Sequence, residues 1–306
     1  MPGYTGELYI LAFDHRGSFR KKLGVGSNPT LEETEKVVDA KRLIFEGFQQ
    51  AIADGVPREQ AGLLVDEEYG ADVARKARAE GFKLAMPVEK SGQDEFDFEY
   101  GSDYGQHIEE FDPTFSKVLV RYNPDADPEM NRRQTARLKD LSDWLHERGR
   151  SYLFELLVPA EPAQLEGVGG DEDRYDTEVR PGLMLRAIEE LLGAGVEPDI
   201  WKIEGLDRRE DCEKVSALVR SGGRTEVACV VLGRGADDAA VDHWLRQGAG
   251  VPGYVGFAIG RSIWGKPLSA YVAGDLERGD AARQIAANYR RFIEVYRGAQ
   301  GATASA

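Results

Sequence analysis

Short apolar runs alternate with longer amphipathic ones along the whole chain. Eight of the short runs are rich in Val, Ile, Leu and aromatic residues and are bounded by Gly, Pro, Asp or Asn, which predicts strands. They are Leu8–Phe13, Gly62–Val65, Lys83–Val88, Lys117–Tyr122, Tyr152–Val158, Ile200–Glu204, Val227–Leu232 and Tyr254–Ile259. Between them, apolar positions at helical spacing predict helices over Leu31–Ala53, Tyr69–Ala79, Tyr104–Phe111, Asp127–Glu147, Thr177–Ala194, Arg208–Val219 and Ala236–Gln247. A last helical region, Trp264 to Tyr296, is expected to break near Gly274 and Gly279.

Eight strands, each followed by a helix, predict an α/β chain folded as a single (β/α)8 (TIM) barrel. Near-continuous apolar strands suit a parallel sheet covered by helices. The alternative is an open doubly wound sheet, but no GxGxxG follows the first strand. No Pro- or Ser-rich linker divides residues 1–306, and the small-residue-rich tail from Gly298 to Ala306 is expected to fray. The acidic, Gly-rich segment from Glu161 to Asp176 reads equally as a lid over the barrel mouth or as a solvated insertion.

Composition narrows the partners. The 306 residues are 42% hydrophobic, enough for a sizeable core. A formal net charge of −15 argues against nucleic acid or an anionic membrane surface as partner. It leaves room for a phosphorylated small molecule, which needs only a local cationic pocket. Cys212 and Cys229 fit no metal or disulfide spacing. With no signal-peptide pattern and no apolar run of membrane-span length, a reduced, cytoplasmic setting is expected. Homo-oligomer formation stays open.

Charges inside strands are less ordinary than charges after them. Lys202 sits in the apolar run Asp199-Ile200-Trp201-Lys202-Ile203-Glu204. Burial disfavours a lysine's charged form unless it is paired, and a neutral amine attacks carbonyls to form Schiff bases. Residues two apart on a strand share a face. Lys202 therefore points with Glu204, Lys117 with Arg121, and Glu155 with Leu153 and Leu157. If these faces turn inward, two acids and three bases crowd the barrel interior. One reading is a structural ion-pair network, Glu155–Lys202 or Lys117–Glu204. The other makes Lys202 a nucleophile, with a carboxylate to move protons and a nearby cation, Lys117 or Arg121, beside it.

The strand ends add anchors. Leu232-Gly233-Arg234-Gly235 and Ile259-Gly260-Arg261-Ser262 occupy equivalent places after strands seven and eight. Loops there often bind phosphate through backbone N–H groups, and arginine clamps it bidentately. Asp66, Glu67 and Glu68 can hold Mg²⁺, but read better as the acidic start of a helix. His15, His107, His146 and His243 fit no zinc pattern, and only His15 falls at a strand end.

The segments Leu11-Ala12-Phe13-Asp14-His15-Arg16, Leu64-Val65-Asp66-Glu67-Glu68-Tyr69-Gly70, Val88-Glu89-Lys90-Ser91-Gly92, Lys117-Val118-Leu119-Val120-Arg121-Tyr122, Phe154-Glu155-Leu156 and Asp199-Ile200-Trp201-Lys202-Ile203-Glu204 resemble the class I tagatose-bisphosphate aldolases and their sulfofructose-phosphate relatives. The later segments Pro198-Asp199-Ile200-Trp201-Lys202-Ile203-Glu204-Gly205, Val231-Leu232-Gly233-Arg234-Gly235-Ala236 and Val251-Pro252-Gly253-Tyr254-Val255-Gly256-Phe257-Ala258-Ile259-Gly260-Arg261 are similar to the aldolase-like domain that some bacteria fuse to 5-dehydro-2-deoxygluconokinase in myo-inositol breakdown. Together the resemblance spans about Leu8 to Tyr296, and the chain is read as a stand-alone version of that domain.

The resemblance implies a metal-independent Schiff-base lyase with no cofactor. It implies Lys202 as the imine-forming lysine, Glu155 as the acid/base carboxylate, Lys117 as the second lysine and Asp14 as the strand-one aspartate. Arg261, with the Gly233 and Gly260 turns, would match the phosphate grip, and the strand-end reading adds Arg234 as a second phosphate clamp. Arg16, Lys90 and Arg121 are unranked candidates for a substrate carboxylate, and Glu204 is placed among the substrate contacts. The expected reaction cleaves a phosphorylated keto-sugar acid, such as 6-phospho-5-dehydro-2-deoxygluconate, to dihydroxyacetone phosphate and malonate semialdehyde. A tagatose or sulfofructose derivative as substrate, or a non-catalytic sugar-phosphate-binding barrel, are the alternatives.

Overall fold

The eight apolar runs form the strands of one closed, parallel barrel in chain order, the first strand pairing with the eighth. A computed structural model describes residues 3–304. The strands are β1 (Leu8–Ala12), β2 (Ala61–Leu64), β3 (Lys83–Pro87), β4 (Phe115–Arg121), β5 (Ser151–Leu157), β6 (Ile200–Glu204), β7 (Ala228–Leu232) and β8 (Tyr254–Ile259). The helices of the first half are α1 (Gly17–Lys22), α2 (Leu31–Ala53), α3 (Glu67–Ala79), α4 (Tyr104–Phe111) and α5 (Pro128–Glu147). Those of the second half are α6 (Pro162–Gly167), α7 (Glu172–Arg174), α8 (Arg180–Gly193), α9 (Arg209–Val219), α10 (Asp238–Gly248), α11 (Arg261–Ala273) and α12 (Arg278–Ala304). The last helical region breaks at Gly274, whose φ of 80° ends α11 in a left-handed cap. The helix after it, expected to fray from Gly298, continues to Ala304, while Ser305 and Ala306 lie outside the described residues.

Strand parity sets two cores. One face of the strands packs outward under the helices, with Tyr9, Leu63, Phe154, Trp201 and Phe257 all fully buried. Each aromatic of this kind contributes about 1.5–3 kcal/mol by leaving water. The other face fills the barrel floor with a small apolar cluster that includes Ile10, Leu64, Phe115, Leu153, Ile200 and Val230. Above that floor the inner face turns polar. The helices start where the sequence offers caps: Thr30 and Glu33 form a reciprocal capping box on α2, and Asp66 accepts from the Tyr69 N–H at the start of α3. Among the described residues no helix is long and apolar enough to cross a membrane.

Candidate active site

Lys117 on β4, Glu155 on β5 and Lys202 on β6 lie on the inner face, one layer above the apolar floor. Parallel register sets Glu155 directly beside Lys202. Glu155 Oε2 is 3.0 Å from Lys202 Nζ and 3.0 Å from Lys117 Nζ, so one carboxylate oxygen bridges two lysines. Lys117 also donates to Asp14 Oδ2 at 2.9 Å and to Glu89 Oε1 at 2.8 Å. All five side chains are buried.

One of the two expected ion pairs forms and the other does not. Glu155–Lys202 is present, whereas Lys117 does not meet Glu204. Parity gives the face of a strand but not the depth along it, and Glu204 lies two residues, about 6–7 Å, closer to the mouth than Lys202. There its carboxylate takes Arg234 Nε at 3.1 Å and the Val158 N–H at 2.8 Å.

Burial and pairing pull these carboxylates apart. Burial opposes ionisation of Glu155, but the Lys117 and then Lys202 ammonium groups outweigh it and hold its carboxyl below the ordinary range. Asp14 is held far lower, burial again being overcome by Lys117 and then His15 and Lys202. Glu89 goes the other way, because burial exceeds the help it receives from Lys117 and Arg16. Burial also raises Glu204 in spite of Arg180 and Arg234. Lys117 is desolvated, yet Asp14, Glu155 and Glu89 around it raise its pKa and keep it an ammonium. The His15 ring keeps 31% of its surface open to the mouth. Loss of bulk water there nonetheless pushes its pKa down to about 4 against the pull of Asp14.

Above this layer the C-terminal strand ends open into a cavity of about 950 Å³. Every site residue expected from the sequence borders it, from Asp14 and Arg16 on the first strand to Gly260 and Arg261 on the last. They are not equally free. Arg16 spends its guanidinium on the Glu89 carbonyl and the Glu99 carboxylate, at 2.8 Å each. Arg121 gives one donor to the Gln93 carbonyl at 2.7 Å. Lys90 is exposed at the rim. Arg234 lies between Glu204 and Asp176. Arg261 is exposed and donates to the Arg234 carbonyl at 3.0 Å. Two of the mouth glycines have a backbone reason, and Gly233 has none: a Cβ at Gly260 would run into the Ala12 carbonyl oxygen, and Gly235 has φ +72°.

Several residues were not singled out from the sequence. Glu89 lies two positions past Pro87, beyond the end of β3, where strand alternation no longer says which way a side chain faces. Tyr175 and Asp176 come from the segment after β5, which folds into α6, α7 and a π-helical turn (Tyr175–Val179) and borders the cavity. The lid-or-insertion question is thereby resolved in part: this segment walls the mouth. Lys41 on α2 is fully buried and donates to the carbonyls of Phe13 and His15, on either side of Asp14, at 2.7 and 3.1 Å. Its third partner is the Asp66 carboxylate, so Asp66 serves as a helix cap and lysine partner.

The fold and site define a (β/α)8 barrel with a buried lysine–carboxylate cluster beneath a cavity at the strand C-termini, where barrel enzymes carry their chemistry. The chain belongs to the family described as an uncharacterized protein conserved in bacteria (DUF2090), matched over residues 3–300. The crystal structure of Cgl0159 from Corynebacterium glutamicum is similar, with a TM-score of 0.56 at 19% identity over 94% of this chain and 88% of that one. At that identity the likeness speaks for the fold. No curated protein matches the chain.

Proposed function

We propose that this protein is a class I aldolase that cleaves a phosphorylated keto-sugar acid through a Schiff base on Lys202. The observation that carries the reading is the buried Lys202 amine, 3.0 Å from a carboxylate and open to a large cavity at the catalytic end of the barrel. Glu155 takes the proton that Lys202 gives up. The amine then adds to the substrate ketone, and loss of water leaves a protonated imine, an electron sink. Glu155 next removes the proton of the hydroxyl β to that imine, after passing its first proton to the departing water. The carbon–carbon bond breaks, releasing an aldehyde and leaving an enamine. Protonation of the enamine carbon and hydrolysis of the imine free the ketone product and restore the amine. Atoms balance without a cofactor.

The substrate favoured by the sequence resemblance is 6-phospho-5-dehydro-2-deoxygluconate, giving malonate semialdehyde and dihydroxyacetone phosphate. Arg261 is the less committed cation for the phosphate, aided by the uncapped N-terminus of α11. For the substrate carboxylate, Arg121 ranks ahead of Arg16, whose two terminal nitrogens are held by Glu99 and the Glu89 carbonyl. Borohydride reduction in the presence of a panel of keto-sugar phosphates tests the reading. The expected result is a covalent adduct on Lys202 with the acid substrate. No adduct with any member, while ligands still bind, favours a sugar-phosphate-binding barrel in which Lys202 is only ion-paired.

Two variants separate the roles. Glu155→Gln is expected to lower kcat by about 10²–10⁴-fold, the usual worth of a positioned acid/base. Borohydride should still trap an imine on the variant, because Lys202 remains. Wild-type kcat would move the proton role to another carboxylate, Asp14 being next. Arg261→Ala is expected to raise KM for the phosphorylated substrate about 10–100-fold, the loss of one charge-assisted contact of about 1.5–3 kcal/mol. An equal effect on an unphosphorylated analogue would remove the phosphate assignment.

A further inference from the structure

Lys41 has no part in the chemistry above, yet it is fully buried beside the site. It stands on α2 and does not border the cavity. An ammonium has three N–H donors, and all three are used: on the Phe13 carbonyl at 2.7 Å, on the His15 carbonyl at 3.1 Å and on the Asp66 carboxylate. The Phe19 ring lies against it, with its centroid 4.9 Å from Nζ. A cation saturated in this way has no donor left for a ligand. What it can do lies in the backbone that it holds.

That backbone is the turn carrying Asp14. β1 ends at Ala12, so Asp14 stands beyond the strand. Upstream the chain is fixed by Trp264 Nε1 on the Ala12 carbonyl at 2.9 Å and by the Phe13 N–H on the Leu64 carbonyl at 2.8 Å. Downstream it enters α1, with the Arg20 N–H on the Arg16 carbonyl at 3.0 Å. Peptide units are planar, so the chain bends only at the φ and ψ between them. The Phe13 carbonyl belongs to the unit before Asp14, and the His15 carbonyl to the unit after His15. Lys41 holds both, and so fixes the two ends of a short arc whose first side chain meets Lys117 at 2.9 Å. Two carbonyl oxygens and a carboxylate aimed at one point repel one another when no cation lies between them. Without the ammonium a peptide unit turns away, and Asp14 turns with it. We propose that Lys41 is a positioning residue, which sets the Asp14 carboxylate against Lys117 by holding the peptide units that flank Asp14 and His15. The inference itself needs only the Asp14–Lys117 contact, and its consequence for turnover rests on the aldolase reading.

A double-mutant cycle in urea unfolding of the full chain tests it, with Lys41→Met and Asp14→Asn made singly and together. A contact that Lys41 makes possible cannot be lost twice. Asp14→Asn should therefore change the unfolding constant about tenfold less in the Lys41→Met protein than in wild type, a coupling within the range of residues that share one network. Additive effects overturn the proposal, because Lys41 would then serve only its own three acceptors. Should Lys41→Met alone fail to fold, the same cycle is run on Asp66→Asn, which removes the stranded charge and keeps an oxygen to cap α3. Turnover is the second readout. Lys41→Met should lower kcat on the order of 10²-fold, the cost of misplacing a group by about 1 Å, with KM close to wild type because the phosphate cations lie on other loops. Adding Asp14→Asn should lower kcat no further. A Lys41→Met protein with wild-type kcat, or a double variant slower by the product of the two single effects, overturns the proposal while leaving the aldolase reading in place. When wild type turns over no keto-sugar phosphate, the aldolase reading falls, and the unfolding cycle still decides the role of Lys41.

Discussion

Replacing Lys202 with methionine is expected to abolish the proposed carbon–carbon cleavage and to leave the barrel folded. Both halves of that expectation follow from the packing. Methionine matches the length of the lysine stem and leaves the apolar neighbours on β6 undisturbed. The change removes one of two cations from Glu155, but Lys117 stays 3.0 Å away, so the buried carboxylate is not orphaned. The stability cost should then sit near the low end of the ~1–3 kcal/mol expected for a buried polar group that loses a partner. Turnover should fall by a factor on the order of 10⁴–10⁶, as when the nucleophile of a covalent enzyme is removed. The measurements are cleavage rate, mass of the borohydride-trapped protein and thermal unfolding, each against wild type. A methionine variant that cleaves at a near-normal rate would exclude the Schiff-base mechanism, and an unfolded one would show that Lys202 is chiefly a structural ion.

The barrel was legible because its strands are apolar on both faces and short, and each is closed by a breaker. A signal of that kind survives errors of one or two residues at the ends. β4 starts at Phe115 and not at Lys117, since Phe115, Lys117 and Leu119 share the inner face and the strand reaches down to the floor. Helix α1 carries a single buried residue, Phe19, and so leaves no periodic trace. The cluster itself was half legible. Alternation gave Lys117, Glu155 and Lys202 one face, but it could not order them by depth, which is why Glu204 was paired with the wrong cation. Glu89 lies beyond the last paired residue of β3, where alternation is no longer a reliable guide. Lys41 is a cation in a long helix of mixed polarity, and nothing local says that its ammonium reaches the turn after the first strand. Asp176 depends on the segment after β5 folding back onto the mouth. That is a long-range fact about packing, absent from any window of sequence.

Lys117→Met should be the most destabilising single change in the site, by about 3–5 kcal/mol or more, because it leaves buried charges without their partner. Lys117 lies within 3.0 Å of Asp14, Glu89 and Glu155 at once; Glu155 keeps Lys202 and Glu89 keeps Arg16 at 3.7 Å, but Asp14 loses its hydrogen-bonded cation. The loss should depend on pH with a defined sign. In the wild type Asp14 and Glu155 titrate below the ordinary carboxylate range, so the stability they contribute is present above that range and is lost as pH falls through their folded values. Without Lys117, burial, already the largest single influence on Asp14, loses its main counterweight, and the upward shift already present at Glu89 grows. Groups raised in this way favour the folded state only below their unfolded pKa, and that advantage disappears as pH rises through the folded value. The deficit relative to wild type should therefore be smaller near pH 5 than at pH 8, as read from urea unfolding at the two values. Adding Glu89→Gln to the variant should recover part of the loss at pH 8, since it removes one of the stranded charges. A deficit that is the same at both pH values, with no recovery in the double variant, would mean that Lys117 supports the barrel through its stem alone and that the carboxylates around it are neutral in the folded protein.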